Sequence, residues 1–327
     1  MSERFRIYAE NKVAGAPEYR ITGKSLRSAL GSRAAAFDIV VRGKDAPDLQ
    51  ALEQADFLIG AGFDTARINR HATRLKLVHC TSAGVEAYLP LDWLPASAVF
   101  TNSSGVHAQK GGAYGAMAVL MLNEQIPRHV TNQRARRWDE SLNTGIAGKT
   151  VLIHGFGSLG EAIAAFLKPF GVRIVGTRRS GAPHPLADRI VQPARLDEVL
   201  PQANFLVVAC PLTRETRGEI GAAQFSLLPR GAGVLNISRG AVIDGPALAH
   251  HLKTGHLSGA VLDVFEIEPL ARDSFWWDVP NLVITPHTSC DDSQTYVKDC
   301  VEIFVKNIFN ILDGKEPVNI VSQEREY

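Results

Sequence analysis

The sequence predicts a two-domain α/β protein in which each domain is built around a parallel β-sheet. Short apolar runs alternate with stretches of helical spacing along most of the 327 residues. Residues 149–180 also follow the order strand, glycine-rich turn, helix and second strand, which is the pattern of a βαβ unit. Because strands that alternate with helices form parallel sheets, these observations together predict the fold class.

The N-terminal part of the chain is predicted to form a small α/β domain. Its apolar runs predict strands at 6–9, 37–42, 57–60, 75–80 and 99–101. The polar or mixed segments at 23–36, 46–53 and 65–73 have the spacing of helices. Their alternation along the chain predicts a parallel sheet.

The remainder is predicted to form a second α/β domain. Segment 109–122 is rich in Gly, Ala and Met, so we expect a closely packed, buried helix that connects the domains. Further apolar runs predict strands at 151–153, 172–175, 205–209, 233–237, 260–263 and 282–285. Segment 292–312 has helical apolar spacing and is predicted to be an amphipathic helix that returns to the first domain. We expect ligands in a cleft between the domains, at the carboxyl ends of the strands.

The turn GFGSLG at 155–160 predicts a dinucleotide-binding site. Between a strand and a helix its glycines have mechanical roles. Gly155 permits the tight turn, Gly157 lets a pyrophosphate approach the backbone, and Gly160 lets the helix pack on the strand. The free amides at the start of the helix would then face the phosphates. The alternative is a tight βα turn without a ligand.

The end of the second strand of this unit predicts which dinucleotide binds. An NAD enzyme usually places Asp or Glu there to accept hydrogen bonds from the adenosine ribose. In this sequence the position falls on Arg178, followed by Arg179 and Ser180. Guanidinium groups and a hydroxyl would bind a 2′-phosphate, so NADP is favoured and NAD stays possible. The alternative is a solvated basic turn on an NAD enzyme.

Composition argues against nucleic-acid binding, membrane insertion, secretion and metal binding. The formal net charge of +1 gives no electrostatic reason to expect nucleic acid or an acidic membrane surface. No apolar run reaches the roughly 18 residues of a transmembrane helix. The start, MSERFRIYAE, lacks the apolar core of a signal peptide. Scattered cysteines without metal-ligand spacing predict reduced thiols in a cytoplasmic protein with no metal site: Cys80, Cys210, Cys290 and Cys300.

Three ionisable residues follow predicted strands of the dinucleotide-binding half. Arg239, Glu268 and His287 each come shortly after an apolar run, so they should emerge at the same sheet edge as the glycine loop. An arginine, a carboxylate and a histidine near a nicotinamide indicate hydride transfer to a 2-oxo acid. Taken singly, each has an ordinary structural alternative, such as a histidine in the core or an arginine paired with a neighbouring acid.

Together these segments resemble the D-isomer-specific 2-hydroxyacid dehydrogenases. The motifs are GFGSLG, CPLTRETRG at 210–218, NISRGAVID at 236–244, LDVFEIEP at 262–269, WDVPN at 277–281 and TPH at 285–287, with SAGVE at 82–86 near the N-terminus. The resemblance implies a Rossmann dinucleotide-binding domain at 103–290. This domain would be inserted into a smaller flavodoxin-like substrate domain, formed by 1–102 and 291–327. Both domains would be doubly wound parallel sheets.

The resemblance also implies catalytic roles. Arg239 would bind the substrate carboxylate and 2-oxygen. His287 would protonate the 2-oxygen as hydride arrives, and Glu268 would orient His287 and favour its protonated form. Glu266 is the rival carboxylate, but Glu268 directly precedes a proline, as the acid of the family does.

Binding roles follow from the same resemblance. Asp263 matches a position that contacts the nicotinamide carboxamide, the alternative being a carboxylate that caps backbone amides. The backbone amides of Ala83 and Gly84 match a loop that grips the substrate carboxylate, with Arg239 and His287. The predicted cofactor-binding residues are Gly155, Phe156, Gly157, Ser158, Leu159, Gly160, Thr177, Arg178, Arg179, Ser180, Cys210, Pro211, Thr216, Ile237, Ser238, Asp263 and His287.

The favoured function is a glyoxylate or hydroxypyruvate reductase-like enzyme that prefers NADPH. Alternatives are a dehydrogenase for phosphite or 3-phosphoglycerate, or a dinucleotide-sensing scaffold like the corepressors of this family. The resemblance also implies a homodimer. The family commonly has a glutamate near the start of the interdomain helix, where this chain has Ala113, so the resemblance does not extend to the details of the dimer interface. The TSCDD stretch after His287 is also more polar than usual.

Overall fold

The computed structural model describes residues 4–12 and 17–327. These residues divide into two compact units. The first comprises the described residues up to Val106 together with Asp292–Tyr327, and the second is His107–Asp291. None of the described helices combines the length and the apolar character needed to cross a membrane.

The first unit contains a five-stranded parallel sheet in the order β2-β1-β3-β4-β5. Its strands are β1 (Phe5–Asn11), β2 (Phe37–Gly43), β3 (Phe57–Gly60), β4 (Leu77–Cys80) and β5 (Val99–Thr101). Its helices are α1 (Gly23–Leu30), α2 (Leu49–Glu53), α3 (Thr65–His71) and, from the C-terminal segment, α10 (Tyr296–Leu312). This strand order is that of flavodoxin-like folds, so this part of the predicted fold class is confirmed.

The second unit contains a seven-stranded parallel sheet in the order β12-β11-β10-β9-β6-β7-β8. Its strands are β6 (Thr150–His154), β7 (Arg173–Thr177), β8 (Arg189–Val191), β9 (Phe205–Val208), β10 (Gly233–Asn236), β11 (Gly259–Leu262) and β12 (Leu282–Ile284). Its helices are α4 (Ala108–Asn123), α5 (Ile126–Arg134), α6 (Ser158–Leu167), α7 (Leu196–Val199), α8 (Ala222–Leu227) and α9 (Gly245–Lys253). The order reverses between β6 and β9, as in a Rossmann fold, which confirms the second half of the predicted class.

Strand β6 shows why these strands are continuous apolar runs. Successive side chains point to opposite faces of a sheet. Leu152 therefore lies in one buried cluster, while Val151 and Ile153 lie in the other, with helices covering both faces. All three side chains are fully buried. A strand covered on both faces cannot alternate apolar and polar residues, so the pattern follows from the fold.

Helix α4 packs closely on α6, as its small residues predict. A Cβ atom on Gly111 would lie 2.6 Å from Leu159 Cδ1, and one on Gly115 would lie 2.6 Å from Ile163 Cγ1. Larger residues at these positions would force the two helices apart. Both helices belong to the second unit.

Several helices are shorter than the sequence predicts, and the largest differences are in α1 and α10. The helix predicted at 23–36 ends at Leu30, because Gly31 has φ +57° and donates its amide to Arg27 O. A 3-10 segment, Gly31–Ala36, follows it. The helix predicted from 292 begins at Tyr296, because the carboxylate of Asp292 accepts hydrogen bonds from the backbone amides of residues 294 and 295. Helical spacing alone does not mark such local stops.

Candidate active site

The glycine loop connects β6 to α6, and its three glycines have different surroundings. Gly155 has φ +100°, and a Cβ atom there would lie 2.3 Å from the backbone nitrogen of Cys210. A Cβ on Gly160 would lie 2.4 Å from Gly155 O, so only glycine lets α6 approach the strand this closely. A Cβ on Gly157 meets no atom within 4 Å, so space lies open beside its backbone. Gly155 and Gly160 therefore permit the tight turn and the close packing of α6, and Gly157 leaves open space beside its backbone.

The remaining residues of this loop point in different directions. Phe156 is 1% exposed and packs into the core, where its ring lies against the backbone of Gly176. Leu159 is partly buried against the same cluster. Ser158 is the first residue of α6, and Gly157 caps the helix without a side chain. Any contact of Phe156 with a dinucleotide would therefore come through its backbone.

The segment after β7 carries the predicted ribose-binding residues. Thr177 is buried, and its hydroxyl accepts a hydrogen bond from the amide of Gly155 at 3.1 Å. Arg178 Nη1 lies 3.8 Å from the carboxylate of Glu161 in the first turn of α6. Arg179 Nη2 lies 3.5 Å from Glu215. The hydroxyl of Ser180 accepts the amide of Ala182 at 3.3 Å.

The loop after β9 faces the glycine loop across the point where the strand order reverses. Cys210 is buried, and its backbone nitrogen touches Gly155 as described above. The hydroxyl of Thr216 donates to Pro211 O at 2.7 Å and accepts the amide of Thr213 at 2.8 Å. These bonds give the loop a fixed shape at the crevice where α/β sheets bind ligands.

Arg239 follows β10 and is held by its own segment. Its Nη1 donates to Ser238 O at 2.7 Å, and its carbonyl accepts from Asn236 Nδ2 at 3.0 Å. Ile237 and Ser238, the predicted cofactor contacts, are both buried. A Cβ on Gly240 would lie 1.9 Å from the carbonyl carbon of Phe265, so the Arg239 segment lies directly against the chain that leads to Glu268.

Glu268 and His287 form a hydrogen-bonded pair. His287 Nδ1 lies 2.7 Å from Glu268 Oε2, and Glu268 Oε1 accepts the amide of Phe265 at 2.8 Å. The carboxylate is therefore held from one side while it orients the ring from the other. Glu266, the rival, is exposed, and Glu268 is the residue that reaches the imidazole. The side chain of His287 is 46% exposed.

Asp263 organises the segment that carries His287. It is 2% exposed, and its carboxylate accepts the hydroxyl of Thr285 at 2.5 Å and the hydroxyl of Ser289 at 2.6 Å. The amides of residues 288 and 289 also donate to it, and the amide of His287 donates to its carbonyl at 2.8 Å. Asp263 therefore caps nearby backbone amides, the role that was predicted from sequence as the alternative to binding nicotinamide. His287 itself has φ +53°, a backbone conformation that these bonds sustain.

Sequence reasoning missed the role of Tyr114 in this region. The hydroxyl of Tyr114 on α4 lies 2.8 Å from Thr285 Oγ1, which in turn binds Asp263. Burial raises the pKa of Tyr114. The hydroxyl residues on both sides of His287 were a signal for such a network. Nothing in the sequence pointed to Tyr114, which lies 171 residues before Thr285.

The predicted carboxylate-binding loop lies in the first unit, after β4. Within the described part of the chain, the amides of Ala83 and Gly84 donate to no other group. The loop is anchored by Asn102, whose Nδ2 donates to Ala83 O at 2.8 Å. It is also held by the amide of Ser103, which donates to Ser82 O at 3.1 Å. Two unused amides on an anchored loop are suited to bind an anion.

The second unit therefore brings the glycine loop, a guanidinium group and a histidine paired with a carboxylate to one edge of its sheet. The parallel strands place the glycine loop, the Arg239 segment, Glu268 and His287 at their carboxyl ends. A histidine held by a carboxylate can donate or accept a proton. A guanidinium can bind a carboxylate through two parallel hydrogen bonds.

Known proteins are similar to this chain in both sequence and fold. The profile of the D-isomer specific 2-hydroxyacid dehydrogenase NAD binding domain matches residues 116–289. A glyoxylate reductase from Thermococcus litoralis is 27% identical over 287 residues, which cover 84% of this chain and 86% of that protein.

Two solved structures extend the similarity to the whole fold. The D-isomer specific 2-hydroxyacid dehydrogenase from Xanthobacter autotrophicus, solved with NADPH and MES, is 29% identical, with a TM-score of 0.84 and coverage of 100% of both chains. The NADPH-dependent glyoxylate/hydroxypyruvate reductase from Sinorhizobium meliloti, solved with NADP and sulfate, is 26% identical. Its TM-score is 0.82, and the match covers 99% of this chain and 100% of that one. The resemblance inferred from the motifs is thereby confirmed: the chain belongs to the D-isomer-specific 2-hydroxyacid dehydrogenases, a family of NAD(P)-dependent oxidoreductases.

Proposed function

We propose that this protein reduces small 2-oxo acids of the glyoxylate and hydroxypyruvate kind to D-2-hydroxy acids, with NADPH as the preferred reductant. The pairing of His287 with Glu268 at 2.7 Å, at the same sheet edge as the glycine loop, carries this proposal. The names of the similar glyoxylate reductases support the substrate class.

The residues present fit a dinucleotide. The open space beside Gly157 and the start of α6 would receive the pyrophosphate. Arg178, Arg179 and Ser180 would hold a 2′-phosphate, and two similar structures contain NADPH or NADP. The remaining predicted contacts, from Cys210 to Ser238, would line the nicotinamide half. When bound, the cofactor supplies the hydride.

His287 is the proposed acid. As hydride reaches the carbonyl carbon, the imidazolium would give its proton to the 2-oxygen, so that the product is a neutral hydroxyl group beside the carboxylate. Glu268 would keep the ring oriented and stabilise its positive charge before the transfer. In the reverse direction the neutral ring would take the proton back.

Arg239 is the proposed anchor of the substrate. Its planar guanidinium can bind a carboxylate oxygen and the 2-oxygen together, which would fix the carbonyl carbon for hydride arrival. The amides of Ala83 and Gly84 are proposed to bind the other carboxylate oxygen. Asp263 is proposed to contact the nicotinamide carboxamide in addition to holding the His287 segment. In this proposal the first unit supplies amides that bind the substrate, and the second unit binds the dinucleotide.

We also propose that the protein is a homodimer. Apolar side chains of the second unit are exposed: Met117 on α4 is 45% exposed, and Trp138 and Leu142, in the segment between α5 and β6, are 89% and 96% exposed. Covering these surfaces with a second copy would remove apolar area from water. Light scattering at micromolar concentration should give the mass of a dimer, and a monomer mass would contradict the proposal.

The experiment that tests the function is a substrate panel. Glyoxylate, hydroxypyruvate and larger 2-oxo acids would be assayed for NADPH and NADH oxidation, with phosphite and 3-phosphoglycerate assayed in the direction of NADP reduction. We expect the highest kcat/KM for a small 2-oxo acid with NADPH. Tight NADPH binding without turnover of any compound would contradict the enzyme function and favour a dinucleotide-sensing scaffold.

A further inference from the structure

A buried polar network lies directly beneath the glycine loop. His154 is the last residue of β6 and is 1% exposed. Its Nδ1 lies 2.9 Å from the hydroxyl oxygen of Thr177, and its Nε2 lies 3.0 Å from Glu219 Oε2. The position just before such a loop needs only an apolar side chain to fill the core, so a histidine paired with an acid calls for a reason.

The surroundings of His154 favour its charged form. Burial opposes protonation, but the neighbouring sulfur of Cys210 and the carboxylate of Glu219 outweigh it and raise the pKa of His154 to about 10. As an imidazolium the ring donates through both nitrogens, to Thr177 and to Glu219. The hydroxyl oxygen of Thr177 then accepts two hydrogen bonds, one from His154 and one from the amide of Gly155.

This network joins the two loops that border the crevice of the sheet. Gly155 begins the loop after β6, and Glu219 belongs to the loop after β9, the two strands between which the strand order reverses. The carbonyl of Thr177 also accepts the amide of Phe156 at 2.7 Å. Because Gly155 already touches the backbone of Cys210, a small shift of either loop would disturb both.

We propose that His154 and Glu219 are positioning residues for the dinucleotide: the hydrogen bonds of His154 with Thr177 and Glu219 hold the glycine loop and the loop after β9 at the spacing that the pyrophosphate requires. This inference rests on the proposed function, because it presupposes that a dinucleotide binds there. It assigns to the pair a role that a purely structural core residue would not have.

Removing either partner should weaken dinucleotide binding. Without the imidazolium, Glu219 would keep a negative charge beside the crevice that no ring balances. Without the carboxylate, His154 Nε2 would lose its partner, and with it the link to the loop after β9. The two single changes should therefore have similar effects. Once one partner is gone, loss of the other should add little.

The test is a fluorescence titration of NADPH binding to the intact protein. Glu219→Gln keeps the shape of a side chain that is 23% exposed, and His154→Gln keeps a hydrogen-bond donor. Each should raise the Kd for NADPH on the order of tenfold, and the double variant should resemble the single ones. The Kd should change more than kcat measured at saturating NADPH. His251→Gln is the matched control, because His251 is a buried histidine of the same unit bonded to Ser226 and Ala247 O.

The control should lower Tm and leave the Kd for NADPH unchanged. A Kd for Glu219→Gln within twofold of that of the wild type would overturn the inference while the proposed function stands. If His154→Gln does not fold, Glu219→Gln decides the question by itself. If the wild type binds neither NADPH nor NADH, this inference and the proposed function are both wrong.

Discussion

Replacing Arg178 by aspartate should abolish or reverse the preference for NADPH. In the structure Arg178 Nη1 lies 3.8 Å from Glu161 Oε1, and the two side chains are 32% and 34% exposed. Water screens a pair of this exposure, so it contributes about 0–1 kcal/mol. A charge-assisted hydrogen bond to a 2′-phosphate contributes about 1.5–3 kcal/mol. The phosphate should therefore displace Glu161, with a net gain of about 0.5–3 kcal/mol, or roughly 2- to 150-fold in kcat/KM.

Steady-state kinetics with one 2-oxo acid and both cofactors measure this preference. The wild type should favour NADPH by the factor above, and Arg178→Asp should bring the NADPH to NADH ratio of kcat/KM to one or below. Glu161→Gln should raise that ratio, because Arg178 loses its competing carboxylate. Arg195→Ala is the matched control, since it removes an arginine from an exposed pair with Glu198. Equal efficiency of the wild type with both cofactors would refute the reasoning.

Two further predictions concern the substrate anchor and the glycine loop. Arg239→Lys should raise KM and lower kcat for the 2-oxo acid despite its retained charge, because one ammonium cannot reproduce a planar fork; unchanged kinetic constants would contradict the assigned role. Gly160→Ala should destabilise the fold by about 1–3 kcal/mol, since its Cβ would lie 2.4 Å from Gly155 O. A Cβ atom on Gly157 meets no atom within 4 Å, so Gly157→Ala should leave Tm unchanged and weaken NADPH binding. Thermal melts measure the loss of stability in Gly160→Ala, and NADPH titrations measure the loss of binding in Gly157→Ala.

The fold was predictable from sequence where one pattern determines one structure. Buried parallel strands are continuous apolar runs, so β3 and β5 were predicted with their observed bounds and β9 within one residue. The strand order was predictable only through the family resemblance. Local stops, such as Gly31 after α1, depend on backbone conformation that spacing does not encode.

The candidate site was predictable only in part. Short motifs identified the glycine loop, and the proline after Glu268 favoured it over Glu266 as the partner of His287, which is the pairing that the structure has. The bonds of His154 with Glu219, 65 residues away, have no local signature. Sequence shows which residues follow a strand, whereas the fold decides which of them meet.

The most direct test of the central claim is the effect of His287→Ala on reduction of glyoxylate or hydroxypyruvate by NADPH. The structure places His287 Nδ1 2.7 Å from Glu268 Oε2, so the carboxylate holds the ring in one orientation. Loss of a general acid should lower kcat by roughly 10²–10⁴-fold, while the Kd for NADPH stays at the wild-type value. Glu268→Gln should lower kcat less, because the ring remains. Reduction by His287→Ala at the wild-type rate would contradict the account.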